Sequence, residues 1–84
     1  RELFIRISIV ISANRKLKGL SQEQFADIVG VSRSLISAIE APRLAYNFTL
    51  DVFFNIANAL EIPPDVLLRE ASRNILYQDS EKDS

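Results

Sequence analysis

The stretch from Gln22 to Glu40, QEQFADIVGVSRSLISAIE, constrains the fold more than any other part of the chain. It reads as two short helices joined by a tight turn. Phe25 and Val29 stand four apart and share one face of the first helix. Ile36 and Ile39 stand three apart and share one face of the second. Ala26 is small enough to let the two helices cross closely. Gly30 sits where the first helix must stop, and glycine takes the left-handed backbone geometry there without steric cost. Val31 fills the corner. A unit this small cannot bury its apolar side alone, so the flanking chain must cover it.

The helix starts agree with this reading. Ser21 is an N-cap with Gln24 three residues on, which makes a capping box. Leu20 and Phe25 flank that cap as a hydrophobic staple. The pattern recurs at Ser32, with Val31 and Ile36 as the staple. It recurs again at Thr49, with Phe48 and Phe53 on either side and Asp51 in the first turn.

The remaining segments read as lids on this unit. Between Leu3 and Ile11, Ile5, Ile7, Ile9 and Ile11 alternate, which by propensity alone is a strand. A lone strand has no partner here. Residues 2–18 are therefore read as a helix, with Ile7, Val10 or Ile11, and Leu17 on one face. Gly19 stops it, and Arg15, Lys16 and Lys18 suit its C-terminus. So apolar a helix should be buried on two sides. It is too short, and too charged at its ends, to span a membrane. Pro42 ends the second short helix, and residues 41–48 form a connection. The next helix runs to about Leu60, with Leu50, Phe53 or Phe54, Ala57 and Leu60 as its apolar stripe. Pro64 opens a last helix in which Val66, Leu67 and Leu68 read as core. Ala71, Ile75 and Leu76 carry the apolar face further than so small a core requires. The domain spans residues 1–77, and 78–84 read as a disordered acidic tail.

Composition excludes several functions. The chain has neither cysteine nor histidine. That removes disulfides and thiolate metal sites, and with them the commonest general base and metal ligand. Gly19 and Gly30 are the only glycines, so no phosphate-cradling glycine pattern exists. The expectation is a cytoplasmic, nucleoid-associated, non-enzymatic protein with no cofactor and no small-molecule ligand. The net charge of −1 is low for a nucleic-acid binder. Its distribution is uneven. Residues 1–48 hold seven basic and four acidic side chains, +3, whereas 49–84 hold three and seven, −4. A basic first half suits a protein that presents one face to DNA.

Residues 11–68 resemble the phage-repressor and Cro-like family of helix-turn-helix DNA-binding regulators. The blocks that carry the resemblance are KGLSQEQFADIVGVSRSLISAIE and TLDVFFNIANALEIPPDVLL. The resemblance implies an all-α, lambda-repressor-like domain of five helices, with the helix-turn-helix at helices 2–3, residues 22–40. Its third helix would enter the major groove of double-stranded DNA. Gln22 matches a position that grips a DNA phosphate. Arg33 and Ser34 match the main base-reading positions, and Ser37 a further groove-facing one. Ser32 matches a capping position that also touches a phosphate. Arg43 and Asn47 fall in the connection, where backbone contacts are expected. Arg15 and Glu40 match a pair that joins helix one to the end of helix three. An exposed pair of that kind would contribute only about 0–1 kcal/mol. The chain departs from the family in two places. Its connection is longer, with Ala41-Pro42 in place of a common glycine, and Asn14 stands where an apolar residue is frequent.

The expected function is a sequence-specific transcriptional regulator, in the first instance a repressor, that acts as a homodimer on a pseudo-palindromic operator. The apolar first and last helices would form the dimer interface. Stand-alone repressor, restriction–modification controller, antitoxin and one module of a longer protein all fit the residues. The competing reading is a helical protein-interaction module with weak or no DNA binding, favoured by the acidic pI of about 5.3.

Overall fold

A computed structural model describes the backbone of residues 2–83 and side-chain surroundings for residues 2–73. Five helices follow in order: α1 (Glu2–Leu17), α2 (Gln22–Val29), α3 (Arg33–Glu40), α4 (Leu50–Leu60) and α5 (Pro64–Asp83). A short 3-10 turn, Pro42–Leu44, lies between α3 and α4. No strand occurs among the described residues. Nor is any helix among them long and apolar enough to cross a membrane. The expected tail at 78–84, and the continuation of the apolar face by Ile75 and Leu76, lie outside the described side chains.

Local signals explain the boundaries. The Ser21 hydroxyl accepts from Gln24 N, and the Gln24 side chain accepts from Ser21 N, which completes the capping box. Ser32 accepts from Leu35 N, and Thr49 from Val52 N. Gly30 closes α2 with φ 87°, the left-handed geometry its position required. Phe48 stacks against Phe53 with ring centroids 6.4 Å apart, and meets Phe4 of α1 edge-on at 5.4 Å. These rings tie the connection to both α1 and α4.

The core gathers Ile7 and Ile11 of α1, Phe25, Ala26 and Val29 of α2, and Ile36 and Ile39 of α3. Phe53, Ile56, Ala57 and Leu60 of α4 join them, with Leu67 and Ala71 of α5. α1 packs most extensively on α5, and α2 and α3 pack on each other. The isoleucine-rich α1 is helical because Ile7 and Ile11 can then enter this core together. As a strand its backbone groups would have no ladder partner.

The structure corrects the expected faces. Leu17 does not join the α1 face; it is 84% exposed. α1 buries Ile7, Ser8, Ile11 and Arg15, but leaves Leu3 and Ile9 in the open. It is therefore covered on one broad face and not on two. In α4 the stripe runs through Phe53, Ile56, Ala57 and Leu60, while Leu50 and Phe54 turn outward. Only Leu67 of the Val66-Leu67-Leu68 run is buried. The physical reason is common to all three helices. Adjacent apolar residues diverge by about 100° around a helix, so a thin domain buries one of them and exposes its neighbour. Asn14 fits its position by donating to Val10 O at 2.9 Å. Arg6 Nε is buried without a hydrogen bond; Glu2 lies 3.3 Å away, but not in line with the donor.

Two non-glycine residues hold left-handed geometry, Ala45 in the connection and Glu61 at the end of α4. Lys18 Nζ donates to Glu61 Oε1, which clasps the α1–α2 corner to the end of α4. That hydrogen bond and the Lys18 charge hold the Glu61 carboxyl below its ordinary value. The lowered value belongs to the folded state. The pair therefore contributes fully above the ordinary carboxylate range and is lost as pH falls through the lowered one. Lys18→Met should thus destabilise the protein measurably at neutral pH. The difference from wild type should shrink toward zero as pH falls through the lowered carboxyl value, below which Glu61 is protonated in both folded and unfolded states. Urea titrations of both proteins at several pH values check this.

Candidate nucleic-acid interface

α3 is a short helix with one fully buried side. Ile36 and Ile39 anchor it in the core, and Glu40 is buried at its end. This leaves Ser32, Arg33, Ser34 and Ser37 exposed together along its outer face. Three of these carry hydroxyls and the fourth a guanidinium. A base edge in a DNA groove can be read by such donors and acceptors, and Arg is suited to bidentate contact with guanine.

Arg33 occupies the first position of α3, where no acidic residue offsets it. A cation at that end opposes the helix dipole and costs some stability. A residue that local stability disfavours is explained most directly by what it meets outside the fold. Arg33→Glu should accordingly raise thermal stability slightly, on the order of 0.3–1 kcal/mol. Thermal melts of the two proteins read this without any ligand.

Arg43 and Asn47 are exposed in the connection after α3. Arg43 belongs to the 3-10 turn, so the connection is partly helical and not plain coil. Tyr46 beside them is also exposed. The structure thus gathers Ser32, Arg33, Ser34 and Ser37 on one element, and places Arg43 and Asn47 on the segment that follows it.

Gln22 opens α2 and is only partly exposed. Its amide does not stand free. Nε2 donates to Glu40 Oε1 at 3.1 Å. The same carboxylate receives Arg15 Nε on Oε2 at 2.8 Å and Arg15 Nη2 on Oε1 at 3.0 Å. Arg15 Nη1 also donates to Leu20 O at 2.6 Å, in the corner between α1 and α2. The Arg15–Glu40 pair is therefore a buried bidentate pair, with side chains 10% and 3% exposed, and not the surface pair considered above. The sequence reading missed Glu40 as a partner of Gln22. The two are 18 residues apart, and nothing local links them.

Among the described residues no group of histidine, cysteine, aspartate and glutamate side chains could hold a metal. Two adjoining openings among the described residues are lined mainly by apolar side chains. One, of about 180 Å³, is lined by Leu3, Phe4, Ile7, Phe48, Leu50 and Leu68 among others. A second adjoins it between Phe54, Pro64 and Leu68.

An all-α domain with a capped, glycine-cornered helix pair, whose second helix is exposed along a polar face, defines the class of helix-turn-helix DNA-binding proteins. The comparison with known families agrees. The model of the Helix-turn-helix family matches residues 11–67, and the chain belongs to that family of DNA-binding transcriptional regulators. Among solved structures, the chain is similar to the wild-type restriction–modification controller protein C.Esp1396I, with 31% identity and a TM-score of 0.77. That match covers 92% of this chain and 97% of the other. The controller protein C.AhdI from Aeromonas hydrophila is 31% identical with a TM-score of 0.70, over 76% of this chain and 94% of that one. The clp gene regulator ClgR from Corynebacterium glutamicum, at 21% identity and a TM-score of 0.79, shares the fold over 99% of this chain and 88% of its own. Among curated proteins no sequence matches the chain significantly.

Proposed function

We propose that the protein binds a specific duplex DNA operator as a homodimer, and represses transcription by occupying it. The observation that carries this reading is the exposed row Ser32, Arg33, Ser34 and Ser37 on a helix whose opposite side is locked into the core. Arg33 and Ser34 read bases, Ser37 contacts the groove one turn on, and Ser32 and Gln22 meet phosphates. Arg43 and Asn47 extend the backbone contacts beyond α3. The similarity to two controller proteins favours a regulator of that kind over an antitoxin.

One helix reads few base pairs, and two-fold pairing is the usual remedy. The outward apolar residues supply a surface for it. Leu3 of α1, Leu50 and Phe54 of α4, and Val66 and Leu68 of α5 are all exposed. The two apolar openings are lined by Leu3, Leu50, Phe54 and Leu68 of this set. A second copy of the chain is the proposed occupant of this surface. The interface so drawn includes α4 as well as the first and last helices.

Selection from a random duplex library tests the proposal. A two-fold symmetric motif should be recovered, and recovery of nothing above background by folded protein would defeat it. On a selected duplex, Arg33→Ala should weaken specific binding by about 10- to 100-fold while non-specific binding falls much less. Equal losses would remove Arg33 from base reading. Leu50→Lys with Phe54→Lys should yield monomers by sedimentation, with the thermal melt little changed because both positions are exposed in the single chain. A dimer that survives this double substitution would place the interface elsewhere.

A further inference from the structure

The geometry points to Glu40 as the positioning residue for the phosphate contact of Gln22, an assignment that rests on the DNA-binding reading of Gln22. Glu40 is at the end of α3, and Gln22 is at the start of α2. The Glu40 side chain is 3% exposed. Arg15 alone would satisfy it as an ion pair, since the guanidinium reaches both oxygens. The carboxylate nevertheless accepts a third hydrogen bond, on Oε1 from Gln22 Nε2 at 3.1 Å.

That third bond matters for what Gln22 can do. A glutamine on a helix surface samples many rotamers, and ordering it on binding costs entropy. A hydrogen bond to a buried carboxylate is charge-assisted and holds the amide in one place before DNA arrives. Nε2 carries two hydrogens. One is used on Glu40, and the second remains for an acceptor outside the protein. A phosphate oxygen there would make Nε2 a bridge between two anionic acceptors. Arg15 makes this tolerable, because its cation offsets the Glu40 charge that would otherwise repel the phosphate. The end of the recognition helix thus sets the position of the phosphate grip on the neighbouring helix, and base reading and backbone contact stay in register.

A double-mutant cycle on a library-selected duplex tests this. Affinities are measured for the wild-type chain, Gln22→Ala, Glu40→Gln and the combination, each well below its melting temperature. Either single change should weaken binding about tenfold, the scale of one hydrogen bond to a charged group. The combination should bind no more weakly than Gln22→Ala, because Glu40 acts through an amide that is already gone. Glu40→Gln strands the buried Arg15, so Arg15→Met with Glu40→Leu is measured in parallel. That pair removes both charges while filling the corner, and its loss should also vanish in the Gln22→Ala background. Losses that multiply in both sets would overturn the assignment and leave Glu40 a purely structural residue. Glu40 variants that bind like wild type would overturn it as well. Gln22→Ala binding as tightly as wild type would instead remove the phosphate contact of Gln22 itself, and with it the assignment.

Discussion

The buried contact between Arg15 and Glu40 is the constraint on which the rest of this domain depends. Three guanidinium nitrogens are spent on it and on Leu20 O, so α1, the α1–α2 corner and the end of α3 meet at one point. Removing one member of such a pair leaves a buried charge and costs about 3–5 kcal/mol. Replacing both by apolar residues of similar volume is often neutral. The pair is therefore better understood as a device that specifies geometry than as a source of net stability. What it specifies is the meeting of the α1–α2 corner with the end of α3, where Gln22 is held.

A second theme is the division of apolar residues between core and surface. Among the described residues, thirteen apolar side chains are buried around one centre. The domain leaves Leu3, Leu50, Phe54, Val66 and Leu68 exposed, and all of these but Val66 line one or both of two adjoining openings. These are not scattered single exposures of the kind any protein surface carries. They follow from helices that are apolar on adjacent faces, in a domain too thin to cover both. The same helices therefore supply both the core and the exposed apolar surface.

Much of this was legible in the residues. The helix boundaries could be read because their causes are local: a Ser or Thr cap, a staple, and a glycine in left-handed geometry act within four residues of one another. The Gln22–Glu40 unit was legible for the same reason. The candidate interface was legible in part. Ser32, Arg33, Ser34 and Ser37 could be named, since their places on α3 follow from the cap at Ser32 and the buried Ile36 and Ile39. The state of Gln22 could not be named, because its partner Glu40 is distant in sequence and neither residue type announces the other. The burial of Arg15 was equally out of reach, since a charged residue read along the chain is by default solvated.

The sequence by itself determined that the chain is a helix-turn-helix domain and where helices α2 to α5 begin. Those features depend on backbone preferences and on a 3.6-residue period, both properties of short segments. Only the tertiary structure decided which of two adjacent apolar residues is core, with Leu67 taken and Leu68 left, Phe53 taken and Phe54 left. It alone decided that one buried carboxylate would serve both Arg15 and Gln22. These outcomes turn on the rotation of each helix about its axis. That rotation is set by all the neighbours packed against the helix at once, and no single stretch of sequence contains it.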